Sequence, residues 1–175
     1  MYRINRIYFK MFSSCNNDCK KHNHDYTHLK KLVAMYESAP ISGKINEHCV
    51  SYDLSNKFPS AAIKMESSGD LNHPGGSLHG SVYFKLLDDA AWFTAQAVVN
   101  DNFIFTTSFT TYIVRPVLEK TKLHAFGKII NVSKSLIIAE STVVEENTNK
   151  IVATGSGTFM KGPIPLNNVD SYRIA

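Results

Sequence analysis

The run Leu71-Asn72-His73-Pro74-Gly75-Gly76-Ser77-Leu78-His79-Gly80, continuing into Ser81-Val82-Tyr83-Phe84-Lys85-Leu86-Leu87-Asp88-Asp89, holds residue types at spacings from which chemistry could be built. A glycine-rich loop that opens directly into a helix gathers unpaired backbone N–H groups and the positive end of the helix dipole at one point. Such a point can bind an anion or a developing oxyanion; the same glycines would also serve merely to permit a tight turn. Asp88 has Phe84 and Trp92 one helical turn to either side, so its carboxylate emerges among aromatic rings and should resist ionisation. Asp89 has Lys85 four residues earlier, a spacing that suits a solvated surface ion pair. Asp88 is therefore the carboxylate assigned to chemistry, as general base or nucleophile.

Helix geometry adds a constraint. His79 and Asp88 stand about 13.5 Å and about 180° apart on an ideal helix, at 1.5 Å and 100° per residue. One helix cannot aim both its N-terminus and Asp88 at the same substrate atom. If both act, a second subunit supplies one of them, which predicts a composite site at a homodimer interface.

The elements that must position these groups are legible as periodicities. Leu29, Leu32, Val33 and Tyr36 mark one face of a short helix ending before Pro40, and Glu47–Leu54 and Ser60–Glu66 read as weak strands. Glycine and proline crowd residues 69–80 into a loop. From Ser81, the residues Val82, Leu86, Ala90, Phe93 and Ala97 follow a helical period, widened by Leu87, Ala91, Thr94 and Val98, as in a helix buried mid-domain, and Asn100-Asp101 ends it. Phe103–Val114, Lys122–Val132, Leu136–Glu145 and Lys150–Met160 read as four strands joined by short links, hence an antiparallel meander. The expected class is α+β, a sheet wrapped around a long helix.

Composition narrows the function. With 43% apolar and 19% charged residues the chain has material for a core. Residues 1–31 hold seven basic groups against Asp18 and Asp25, whereas the rest holds 12 basic against 13 acidic. The near-neutral body offers no face for nucleic acid. Cys15, Cys19 and Cys49 have no framework spacing, which favours a reducing compartment, and no apolar run is long enough for a membrane span. The expected organisation is a basic tail over 1–27 and one domain over 28–175. The tail reads as dispensable and the protein as cytoplasmic; mitochondrial placement is the alternative if the tail is a presequence. Cys15, Cys19, His22, His24 and His28 match no common zinc module, so no metal is expected.

The run from Asn72 to Ala91, the stretch Thr106-Thr107-Ser108-Phe109-Thr110-Thr111-Tyr112-Ile113-Val114-Arg115-Pro116 and the ending Ile151-Val152-Ala153-Thr154-Gly155-Ser156-Gly157 resemble the PaaI-type acyl-CoA thioesterases of the hotdog superfamily. The resemblance covers roughly residues 41–162. It implies a hotdog fold in a homodimer or homotetramer, an acyl-CoA substrate and no cofactor beyond the Coenzyme A of that substrate. By the same resemblance the Gly80 N–H would polarise the thioester carbonyl, His79 would shape the turn, and Asp88 of the facing subunit would activate water or attack the acyl carbon. Thr106 would position the water or the carboxylate. Ser108, Asn131, Ser133, Lys134, Ser135 and Lys161 would follow the Coenzyme A arm. Two positions depart from the family pattern: His73 stands where many relatives have Asn and would donate a hydrogen bond to water or act as an acid–base group, with Asn72 one step away as a substrate-binding residue, and Ser81 replaces the second glycine of the turn.

Two rival functions share these features. A hotdog dehydratase would use His73 and Asp88 on a hydroxyacyl thioester, although the loop lacks the patterns those enzymes resemble. A noncatalytic acyl-CoA-binding hotdog would need no acid beside the carbonyl. Phe84, Trp92, Phe103 and Phe105 could line an acyl pocket, but core is the better expectation for any one of them.

Overall fold

Asp25 begins the first helix: its carboxylate accepts the His28 N–H at 3.0 Å, capping α1 (Tyr26–Glu37). The structure, a computed structural model, describes residues 24–45 and 49–174. Residues 1–23, most of the expected tail and with them Cys15, Cys19 and His22, lie outside the described residues, whereas Asp25, Tyr26 and Thr27 at the end of that expected tail cap and open α1. Leu29, Leu32 and Tyr36 are buried on the inner face of α1, as their spacing predicts; Val33 is only partly buried, and Met35 joins the buried face. His28 is buried too. One ring nitrogen lies 2.8 Å from the Tyr172 hydroxyl and the other 2.9 Å from the Gln96 carbonyl oxygen, so both are occupied. Among the described residues no group of three or more His, Cys, Asp or Glu could hold a metal ion.

Six strands form one antiparallel sheet: β1 (Cys49–Asp53), β2 (Ser60–Glu66), β3 (Asn102–Ile113), β4 (Lys122–Val132), β5 (Leu136–Glu145) and β6 (Ile151–Pro165), in the order β1-β2-β4-β5-β6-β3. The strands fall where alternation places them, but the expected four-strand meander is corrected. Only β4, β5 and β6 run as a meander, and β3 lies beyond β6 at the far edge. The reason is the link between β3 and β4. It leaves beside β6, where the Val114 and Arg115 N–H groups share the Val152 carbonyl, and passes the loop before the long helix, where Leu78 donates to Val117. It arrives beside β2, tied to Ser67 by the Lys120 N–H and by the Ser67 hydroxyl on the Leu118 carbonyl. Strand β4 then pairs with β2.

The sheet curves around α2 (Gly80–Gln96), whose buried residues include Val82, Tyr83, Leu86, Leu87, Ala90 and Phe93. They pack against Ile63, Leu123, Ala125, Val143 and Val152 in one core. The helix stops at Gln96, four residues before the expected end. Gln96 is fully buried, donates to the Val99 and Asn102 carbonyls at 2.7 and 3.0 Å, and accepts the Ile104 N–H at 2.9 Å. One amide side chain thus turns the chain from α2 into β3. Strand β6 extends five residues beyond its expected end, and α3 (Asp170–Arg173) brings Tyr172 back to α1.

The helix backbone comes nearest the sheet at Gly127 of β4. A Cβ there would overlap the Ala90 carbonyl oxygen and Thr94 Oγ1. Thr94 is itself fixed, accepting the Ala61 N–H at 2.9 Å. Gly127→Ala is therefore expected to lower stability by about 2–3 kcal/mol or more through overpacking, read as a lower denaturation midpoint, whereas Ala substitution at solvent-exposed Lys128 beside it should change stability by less than about 0.5 kcal/mol.

Candidate active site

The loop before α2 is braced by its own histidine. His73 Nδ1 accepts the Gly75 N–H at 2.9 Å and its Nε2 lies 2.8 Å from Ser77 Oγ, so both ring nitrogens are taken by the turn. The ring packs so closely over Gly75 that a Cβ there would collide with it, and Gly76 adopts φ +83°, a conformation that favours glycine. Asn72 bridges to Leu78 across the loop, with its side-chain N–H pointing at the Gly76 carbonyl at 3.5 Å; its buried Oδ1 has no hydrogen-bond partner among the described residues.

His79 is the N-cap of α2. Its Nδ1 accepts the Ser81 N–H at 3.1 Å and lies 2.7 Å from Ser81 Oγ, which gives the serine a role at the helix start. Gly80 is the first helical residue, so its N–H lacks a carbonyl partner within the helix. It opens on a cleft of about 300 Å³ lined by His73, Gly80, Tyr83, Ile113, Arg115 and Pro116. Ile113 approaches Gly80 closely enough to meet a Cβ at 3.5 Å.

Two turns further along α2, Thr106 of β3 donates a hydrogen bond to Asp88 Oδ1 at 3.0 Å. Register explains the encounter: Thr106 pairs with the fully buried Phe159 and so faces the helix side of the sheet. Burial pushes the Asp88 carboxyl up from 3.8 to about 6; the Thr106 hydrogen bond pulls down, Asp89 pushes up, and Lys85 pulls down. The spacing of Phe84 and Trp92 points to this displacement in the sequence itself.

Asp89 corrects an expectation. It does pair with Lys85, but not as a solvated surface ion pair: the two side chains are 22% and 12% exposed. They lie beneath α1, where the Lys85 ammonium stands 5.2 Å from the Tyr36 ring centroid and the Tyr36 hydroxyl meets Asp89. Burial, then Asp89, raises the Tyr36 phenol far above its ordinary range. No sequence signal marks Tyr36 for this contact, because α1 is remote in the chain.

The remaining candidates lie elsewhere. Ser108 Oγ is 2.8 Å from Thr158 Oγ1, and the pairings Ser108–Thr158, Thr158–Ile138 and Ile138–Asn131 set Ser108 and Asn131 in one row on the sheet face away from α2. Ser133 closes the β4–β5 turn, its hydroxyl donating to the Leu136 carbonyl at 2.7 Å, and Lys134 and Ser135 are exposed beside it. Lys161 is tied to that turn by its N–H on the Ser135 carbonyl, but its ammonium is paired with Asp101 at 3.2 Å. Three groups result: His73, His79 and Gly80 at the helix start, Asp88 and Thr106 at mid-helix, and the hairpin residues with Lys161. Within one chain the first two are separated by eight helical residues, about 12 Å.

A six-stranded antiparallel sheet wrapped on one long helix, with a glycine turn at the helix start and a carboxylate at its middle, defines a hotdog-fold protein. Residues 75–152, from that turn into β6, match the family model described as Thioesterase superfamily. The E. coli PaaI protein from the phenylacetic acid degradation operon shares the fold, with 17% identity, coverage of 82% of this chain and 99% of that one, and a TM-score of 0.71. Zebra fish Thioesterase Superfamily Member 2 matches with 16% identity over 76% of this chain and 94% of its own, at a TM-score of 0.64. A mutant of the phenylacetic acid degradation protein PaaI from Thermus thermophilus matches with 20% identity over 71% of this chain and 100% of its own, at a TM-score of 0.59. No curated protein sequence matches the chain.

The raised carboxyl carries a sign for stability. A folded-state value near 6 against an unfolded value near 3.8 means that ionised Asp88 opposes folding. That opposition is absent below the unfolded value, grows between the two, and is complete above pH 6. Asp88→Asn should therefore raise the thermal midpoint by about 2–4 °C at pH 8 and leave it nearly unchanged at pH 3.5, measured as a difference between the two proteins across that range.

Proposed function

We propose that the protein hydrolyses an acyl-CoA thioester to a free acid and Coenzyme A, at a site shared across a homodimer. The observation that carries this reading is the Thr106-held Asp88, a carboxylate with a raised pKa on the same helix as, but two turns from, an open helix start. The Gly80 N–H would receive the thioester oxygen. Thr106 engages one carboxylate oxygen of Asp88 and leaves the other to take a proton from water as that water adds to the acyl carbon. The carbonyl electrons pass to the oxygen facing Gly80, return as the C–S bond breaks, and the thiolate leaves to be protonated as free Coenzyme A.

The need for a second subunit follows from distance and is supported by the edge of the sheet. Strand β3 is 12 residues long, has no neighbour on its outer side among the described residues, and exposes Phe105, Tyr112 and Ile113. Such an edge is a template for pairing with another strand. Pairing β3 with β3 of a second copy would cover it and bring α2 beside its twofold mate. Exposed Lys134 with Ser133 and Ser135 suits the phosphates of Coenzyme A, whereas Lys161 is held by Asp101 and suits them less. No described helix is long and apolar enough to cross a membrane, and the cysteine pattern fits action in the cytoplasm. The dehydratase alternative loses ground because both His73 nitrogens are occupied by the turn.

Release of free thiol from short, medium, long and aromatic acyl-CoAs tests the proposal. Asp88→Asn should lower turnover about 10²–10⁴-fold while acyl-CoA binding and oligomer size persist. Binding without turnover by the wild type would replace the hydrolase with a noncatalytic binder. Because the Thr106 hydrogen bond holds the Asp88 carboxyl down, Thr106→Val should move the acidic limb of the rate profile to higher pH; a limb that stays in place would remove Asp88 as the titrating group.

A further inference from the structure

Gly80, Phe84 and Asp88 follow one another at four-residue spacing, and so share one face of α2. Phe84 is 42% exposed on a helix that is otherwise largely buried. Its ring stands edge-on against Phe109 of β3, with centroids 5.7 Å apart at 83°. Phe109 lies across Gly155 and Gly157 of β6, and a Cβ on either glycine would collide with its ring. The two glycines form a flat bed that fixes the Phe109 ring, and that ring backs Phe84 on the side of its own subunit.

Resting on the composite-site reading above, we infer that Phe84 sits on the twofold axis of the dimer and is the wall that limits the length of the acyl group. A twofold operation that sets Gly80 against Asp88 of the partner subunit also sets Asp88 against Gly80 of the partner subunit. With only a thioester carbonyl and a water between the two groups, the axis passes close to the point midway between residues 80 and 88 of α2, which is Phe84. Phe109, its contact on β3, then falls beside the same axis, as a β3-to-β3 pairing requires. The two rings of each subunit meet those of its mate and separate the two sites.

The direction of the substrate follows from charge. Coenzyme A carries phosphates that cannot be placed in an apolar interface without a large desolvation cost, so from the carbonyl it runs outward. The acyl group runs the other way, toward the axis. From Gly80 to Phe84 is about 6 Å along the helix, enough for a short or single-ring acyl group and too little for an extended long chain. The class of substrate assigned is a short or aryl acyl thioester.

Two measurements test this. In a chain with Cys15, Cys19 and Cys49 changed to Ser, Phe84→Cys should give a covalent dimer on mild oxidation or with a short bis-maleimide, and Lys134→Cys should not. In the thiol-release assay the wild type should favour short and aryl acyl-CoAs, with Phe84→Ala, and Phe84→Leu to a smaller degree, raising the long-to-short rate ratio at least tenfold. A dimer that hydrolyses acyl-CoA but neither cross-links at residue 84 nor changes its ratio overturns the wall and leaves the hydrolase standing. A wild type that prefers long chains does the same. A protein that is monomeric in solution, or that turns over no acyl-CoA, removes the composite-site hydrolase and this inference with it.

Discussion

The contact between the α2 backbone and Gly127 sets the height of the helix above the sheet, and the site depends on that height. Any side chain at Gly127 would lift Ala90 and Thr94 away from β4. Asp88 lies one turn or less from Ala90 and two turns or less from Thr94, and its carboxylate reaches Thr106 only because the helix is held low. The helix that carries Asp88 is thus packed tightly on a distant strand because a glycine in β4 has no side chain.

Charge is sorted along α2 by side. Toward β3 the helix presents Asp88 with one hydroxyl as its partner, a sparse environment in which a carboxylate keeps its proton to unusually high pH. Toward α1 it presents Asp89, matched by Lys85 and covered by Tyr36. Adjacent carboxylates in one helix therefore meet opposite surroundings. Lys85 compensates Asp89 locally, so burial, rather than its charged neighbour, is the main influence on Asp88.

Much of this was legible in the chain. Periodicity located all six strands and both main helices because each buries one face, and the aromatic neighbours of Asp88 announced its displaced ionisation. Pairing was less accessible: nothing in the alternation of β3 says that its neighbour is β6, since that depends on how the 114–121 link is tied to Val152, Leu78 and Ser67. Gln96, buried and serving three backbone groups, looks in sequence like one polar residue on an apolar helix. Asp89 was misplaced for a related reason. Its spacing from Lys85 is local information, whereas its cover by Tyr36 is set by packing between segments about fifty residues apart.

The contact of His28 with Tyr172 has a consequence for the order in which the structure is completed. It joins residues 144 positions apart, so closing that loop carries a large entropy cost, and such contacts form late unless other structure has already drawn the ends together. The sheet and α2 do this: they bring Gln96, the second partner of His28, to the place where α3 arrives. Although α1 precedes every described strand in the chain, it acquires its buried polar partners only after the strands are paired. The first described helix is thus the last to be secured, and its docking reports that the sheet beneath it is complete.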